Sequence, residues 1–250
     1  MQPISLEEIE AFVAENIPAF HQNRIEKIKG LRLKTVLKRK NPYLFKVKAI
    51  TTAGDFVKTI LDAYLSSQEE TLFGGFLEGL ALFVCGRVHG GRKSSSEGID
   101  MELEKDGVRY IVSIKSGPNW GNSSQISRMK ENFNRAKRIL RTNASAQANI
   151  VAVNGCCYGQ DAQPDKGEYL KLCGQSFWEF ISGNPDLYTD IIEPLGHRAK
   201  EKNEQFLLEY SKVANTFTLE FIQEFCGPDG EILWKKLIAF NSGGADARTS

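Results

Sequence analysis

The stretch from Gly98 to Gln125, GIDMELEKDGVRYIVSIKSGPNWGNSSQ, decides how this chain is read. It alternates with a period of two. Ile99, Met101 and Leu103 fall on one face of an extended segment, while Asp100, Glu102 and Glu104 fall on the other. Lys105-Asp106-Gly107 follows, and Asp-Gly is a strong hairpin signal. From Val108 to Lys115 the alternation resumes, with Tyr110, Val112 and Ile114 on one face and Ile111, Ser113 and Lys115 on the other. The stretch therefore predicts a β-hairpin. Its second strand ends in a lysine, unusual on an otherwise apolar strand, because burying an ammonium is costly without a negative partner. Asp100, on the first strand, is the natural partner.

An acid on one strand and an x-Lys on the next resembles the PD-(D/E)XK nuclease superfamily. Here Ile99 stands where the family has proline, and Ser113-Ile114-Lys115 has serine where the family has Glu or Asp. The string SGPNWGNSSQ at 116–125 is similar to type II restriction endonucleases, in particular a group associated with GGNCC-like sites. So is LCGQSFWEFISGNPDLYTDIIEPLGHRAKEKNEQF, from Leu172 to Phe206. The two-residue pattern is unspecific alone; the two longer blocks make the likeness specific.

The resemblance implies Mg²⁺-dependent hydrolysis of double-stranded DNA at a short palindromic site, leaving 5′-phosphates. It implies a homodimer, since target and reader share a two-fold axis. A cognate DNA methyltransferase is expected in the same system but not as a stable partner. Mg²⁺ prefers oxygen ligands. Asp100 is the first ligand candidate, and the backbone carbonyl of Ile114 a second. Lys115 would lie near the attacking water and the phosphate. Ser113 cannot replace a carboxylate, although it could hold a water on the metal.

The missing acid has three candidate replacements. Glu78 ranks first, because it lies mid-way along an apolar helical stretch where a charge is costly without a purpose. Glu131, on the helix after the loop, ranks second, and Glu102, beside Asp100, third. Each has a plain structural reading as a solvated helix or strand acid. DNA-contact candidates are Arg92, Lys93, Ser116, Asn119, Asn122, Ser123 and Gln125, from a Gly-rich loop and from a donor-rich loop that opens a helix. Trp120 packs or stacks. Two other readings stay open: a repair or structure-specific nuclease of the same fold, and a catalytically inactive DNA-binding module.

Composition is that of an ordinary globular protein, with 41% hydrophobic and 25% charged residues. A run-by-run reading finds no transmembrane helix, and MQPISLEEIEAF carries no signal-peptide pattern. Five cysteines without a CxxC pair point to reduced thiols in the cytoplasm and away from zinc. The histidines at 21, 89 and 197 lack metal-ligand spacing. Net charge is only +1. The cations nonetheless cluster: ten between Arg24 and Lys48, another group at 87–93, and Arg135, Lys137, Arg138 and Arg141 on one helix. Such patches suit phosphate contacts.

The expected class is α/β: a restriction-endonuclease-like core, a mixed β-sheet flanked by helices, with added helical N- and C-terminal segments. Residues 1–66 read as a mainly helical segment and 67–157 as the catalytic core. Residues 158–240 read as a mainly helical part of the same domain, and 241–250 as a disordered tail. Ser5-x-x-Glu8 caps a helix that stops before Pro18; Asn41-Pro42 is extended; Ser67-x-x-Glu70 opens a new helix; and Ser123 or Ser124 caps the helix after the loop.

Overall fold

The computed structural model describes residues 4–143 and 149–244. The elements in chain order are α1 Leu6–Lys29, α2 Leu33–Lys38, α3 Pro42–Val47, α4 Ala53–His89, β1 Arg92–Lys93, β2 Met101–Lys105, β3 Val108–Lys115 and α5 Ser123–Asn143. Then come β4 Ile150–Cys156, β5 Leu170–Cys173, α6 Gln175–Ser182, α7 Leu187–Asp190, α8 Ile192–Leu195, α9 Ala199–Phe225 and α10 Trp234–Ser242. They form two compact units, Met1–Pro18 with Phe73–His197, and Ala19–Leu72 with Arg198–Ser250. The segments expected at 1–66, 67–157 and 158–240 cut across these units. The cause is the length of α1 and α4, each of which contributes residues to both.

The first unit holds one five-stranded sheet in the order β1-β2-β3-β4-β5. β1, β2 and β3 pair antiparallel; β3, β4 and β5 pair parallel. The hairpin is as expected, with Met101 opposite Val112 and Lys105 opposite Val108. Asp106 and Gly107 turn the chain at φ 52° and 74°, the left-handed pair a two-residue hairpin requires. One face of the sheet packs on α5: Ile111, Ile150 and Ala152 meet Met129, Phe133, Ala136 and Leu140. On the other face Tyr110 meets the Phe180 ring edge-on at 5.0 Å, and Gly155 lies beneath Phe177 of α6.

The second unit is helical. Ile28, Leu33, Phe45, Phe56, Ile60, Phe217 and Phe221 form its core. Phe56 stacks on Phe221 at 4.6 Å and takes the Trp234 ring edge-on at 5.8 Å.

Several local expectations need correction. α1 begins at the Ser5/Glu8 capping box, with Ser5 N on Glu8 Oε2 at 3.1 Å and Glu8 N on Ser5 Oγ at 3.2 Å. It does not stop at Pro18 but runs on to Lys29. A proline removes one helical hydrogen bond, and the apolar packing of Ile9, Val13, Ile17 and Ile28 outlasts that loss. Asn41 is extended, as expected, but only as the cap of α3: it accepts from Tyr43 N, and Pro42 already stands at the first helical position. Ser67 opens no new helix. Its hydroxyl donates to the Ala63 carbonyl at 3.2 Å, inside the unbroken α4.

β5 and the two-residue β1 were not expected; both are too short to show a period. The supposed tail is part helix, since α10 reaches Ser242 and Asn241 Nδ2 donates to Leu37 O at 2.7 Å. Residues 245–250 lie outside the described residues. α4 is long and apolar enough to cross a membrane by length and composition, which the run-by-run reading missed. Its Leu77, Leu80, Ala81, Val84 and Val88 are buried, and 33% of the apolar window is buried in all.

Truncating Phe221, fully buried beneath Phe56, is expected to cost about 3–5 kcal/mol. The shift of the denaturation midpoint of Phe221→Ala, followed by circular dichroism, measures it.

Candidate active site

The hairpin brings Asp100 and Lys115 together. Asp100 precedes β2 and its N–H donates to the Val112 carbonyl at 2.9 Å, so the backbone is locked before the strand begins. Its Oδ2 accepts the Ile114 N–H at 2.6 Å and the Ser113 hydroxyl at 3.3 Å. Lys115 Nζ lies 3.9 Å from the same oxygen, with both side chains partly open to solvent. The N–H and C=O of one strand residue leave the same edge. Because Ile114 N–H points at Asp100, its carbonyl opens onto that edge too.

Glu78 joins this group from α4. Burial pushes its carboxyl above the ordinary value of 4.5, and the negative charge of Asp100 adds to the rise, while Lys93 and Lys115 oppose it. One turn earlier on α4, a Cβ added at Gly74 would touch Ser116 Cβ at 3.6 Å, which fixes this helix face against the end of β3.

The other two acids are placed differently. Glu102 is buried, but its oxygens are taken. Ser94 Oγ donates at 2.6 Å and Arg109 at 2.7 Å, with Arg92 3.8 Å away. Burial acts to raise its pKa, yet these donors hold the carboxyl below its usual value. It is a charge satisfied within the sheet. Glu131 is exposed on α5. Among the described residues no three His, Cys, Asp or Glu gather as a metal cluster. The arrangement offers two carboxylates and a carbonyl, an all-oxygen set of the kind Mg²⁺ takes with waters and a phosphate.

The loop after Lys115 is pinned. Gly117 lies under the Tyr158 ring, where any side chain would collide. Lys171 Nζ donates to the Pro118 carbonyl at 3.0 Å and pairs with Asp161 at 3.3 Å. The cap of α5 is Asn122, not Ser123 or Ser124. Asn122 Oδ1 accepts Gln125 N at 3.1 Å, and Gln125 Oε1 accepts Asn122 N at 2.9 Å, a reciprocal box. Both side chains, expected to touch DNA, are used in the cap. Asn119 and Ser123 are exposed, and Ser116 is half-buried. Arg92 and Lys93 are exposed on β1, and Lys93 acts electrostatically on Glu78.

Sequence reasoning missed Asn154. It is 1% exposed on β4, directly opposite Ser113. The one signal was a polar residue inside an otherwise apolar strand, IVAVNGC. Many cations of the first basic cluster are engaged inside their own unit. Arg24 pairs with Glu69 at 2.7 Å, Lys34 with Glu224 at 2.9 Å, and Lys40 donates to Ala63 O at 2.6 Å. On α5, Arg135 pairs with Glu97 at 2.7 Å.

The mixed five-stranded sheet flanked by helices has the α/β fold of PD-(D/E)XK restriction endonucleases. A family model described as type II restriction endonuclease EcoO109I matches residues 7–203, and the chain belongs to that family. No curated protein matches the chain.

The raised carboxyl of Glu78 has a testable sign. Ionising it costs more in the folded than in the unfolded chain, so metal-free protein loses stability as pH rises from about 4.5 through the raised value. Glu78→Gln in EDTA is therefore expected to raise Tm at pH 7 to 8, with the gain fading as pH falls toward 4.5. A Tm difference that stayed constant over this range would show that Glu78 does not feel the pocket.

Proposed function

We propose that this chain is a Mg²⁺-dependent type II restriction endonuclease. It hydrolyses both strands of a short palindromic DNA site, leaves 5′-phosphates, acts as a homodimer and works in the cytoplasm. Its methyltransferase is a companion in the same system and not a stable partner. One observation carries this reading: Asp100 and Lys115 face each other at 3.9 Å while Glu78 responds to the charge of both.

Asp100, Glu78 and the Ile114 carbonyl would hold Mg²⁺. A cation between them would relieve Glu78, whose carboxyl is raised by burial and by the charge of Asp100. The ion, when bound, would lower the pKa of water and relieve charge on the phosphate. The remaining roles fall to the chain itself. Lys115 offers a mobile positive donor to a phosphate oxygen and to the attacking water. Asp100, held by the Ile114 N–H, keeps its second oxygen free for a ligand. Ser113 supplies no charge; its hydroxyl orients Asp100. Glu78 then takes the part of the absent strand acid. Ser116, Asn119 and Ser123, with Arg92 and Lys93, are the candidates for phosphate contacts, and Asn122 and Gln125 support them through the helix cap.

The purified protein, incubated with unmethylated phage DNA and Mg²⁺, is expected to yield discrete fragments that vanish with EDTA. Lys115→Ala and Asp100→Asn are each expected to lower the rate by about 10²-fold or more. Mapping the fragment ends would show whether the site falls in the GGNCC-like group. A smear would favour a repair or structure-specific nuclease. Gel shifts without any cut would favour the inactive binding module and trace the loss to Ser113.

A further inference from the structure

We infer that Asn154 and Trp120 are positioning residues for Lys115, an inference that rests on the nuclease reading for its effect on catalysis. Asn154 is buried in β4 beside Ser113. A buried amide is costly unless its donors and acceptor are met. Here Nδ2 donates to the Ser113 carbonyl at 3.2 Å, and Oδ1 accepts the Trp120 indole N–H at 3.1 Å. A carbonyl only accepts and an indole N–H only donates, so these partners fix which way the amide faces. Trp120 sits in the loop directly after Lys115 and packs beside the α5 core. Its ring centroid lies 5.2 Å from Lys115 Nζ.

The contacts close a circuit. From the strand residue two before the lysine, it runs through Asn154 to the indole and returns to the ammonium. Lys115 is otherwise a long flexible chain paired with Asp100 at 3.9 Å, with the charge of Glu78 also in reach. An aromatic face attracts a cation, so Trp120 restrains the ammonium from a second direction. Asn154 sets the angle of the ring. A tryptophan that served only to fill the core would not need a buried amide aimed at its N–H, nor would it meet the lysine with its face.

The test uses the full-length protein with Trp120→Leu, Trp120→Phe and Asn154→Ala. Its readouts are Mg²⁺-dependent cleavage, DNA binding in EDTA, and the rate at which formaldehyde with a borane methylates Lys115, read by peptide mass. Trp120→Leu is expected to lower kcat at least tenfold while KM and metal-free DNA affinity stay within about threefold. Trp120→Phe keeps a ring face and is expected to recover most of kcat. Lys115 is expected to methylate faster in Trp120→Leu and in Asn154→Ala than in the wild type. The double variant Trp120→Leu/Asn154→Ala is expected to lose little more than either single one, because both act through one circuit. Unchanged Lys115 methylation in folded Trp120→Leu would overturn the inference, and so would equal kcat losses for the Leu and Phe variants. If Asn154→Ala fails to fold, the two Trp120 variants decide alone. If the wild type cuts no DNA, the nuclease reading falls, and the methylation rates still decide whether Lys115 is held.

Discussion

Asp100 Oδ2 takes the Ile114 N–H at 2.6 Å, and the rest of the site is arranged around that bond. A backbone donor cannot swing away as a side chain can. The bond fixes the carboxylate relative to β3, and hence relative to Lys115, which stands on the same strand one residue further on. It also replaces a ladder bond at the point where β2 has not yet begun, so the strand edge stays satisfied while the carboxylate's other oxygen remains open. A charge held by backbone is cheap to keep in place and expensive to move. Glu78 is the opposite case. It comes from a helix, buried enough to raise its carboxyl, with the charge of Asp100 adding to that rise. Its surroundings work against its ionised form, and a cation would relieve that penalty.

The hairpin was legible because three independent signals agreed: a period of two, Asp-Gly at the turn, and a lysine out of place on an apolar strand. Glu78 stood out as a lone charge on an apolar stretch, and its carboxyl is raised by burial, as such a position implies. The likeness of the 116–125 and 172–206 blocks to restriction endonucleases pointed to the family that the match over 7–203 shows. Glu102 was not legible. Its spacing from Asp100 is that of a ligand, and only the arrival of Ser94, just after β1, and of Arg109 on β3 shows that its charge is already satisfied. No local pattern encodes such partners.

The other misses have similar roots. Pro18 and Ser67 carry strong local signals for ending or starting a helix, and in both places the packing of a long apolar stripe overrode them. β5 has four residues, three of them only half-buried, so no alternation could rise above its surroundings. Asn154 looked like a single polar interruption in a strand. Its meaning depends on Ser113 and Trp120, which are distant in sequence and meet it only once β3 and β4 are paired. Asn122 and Gln125 were read for what their amides could offer a ligand, whereas the N-terminal end of α5 had a prior claim on them.

The sheet ends on very short strands. β1 has two residues, both cationic and exposed, and β5 has four. An edge strand exposes unpaired backbone groups that can template another chain, and short or charged edges weaken that tendency. In this fold the long, apolar strands β3 and β4 are interior, and the edges give an incoming strand little to grip. At high concentration, sheet-to-sheet polymerisation is thus disfavoured by the same arrangement that leaves the mouth of the hairpin open.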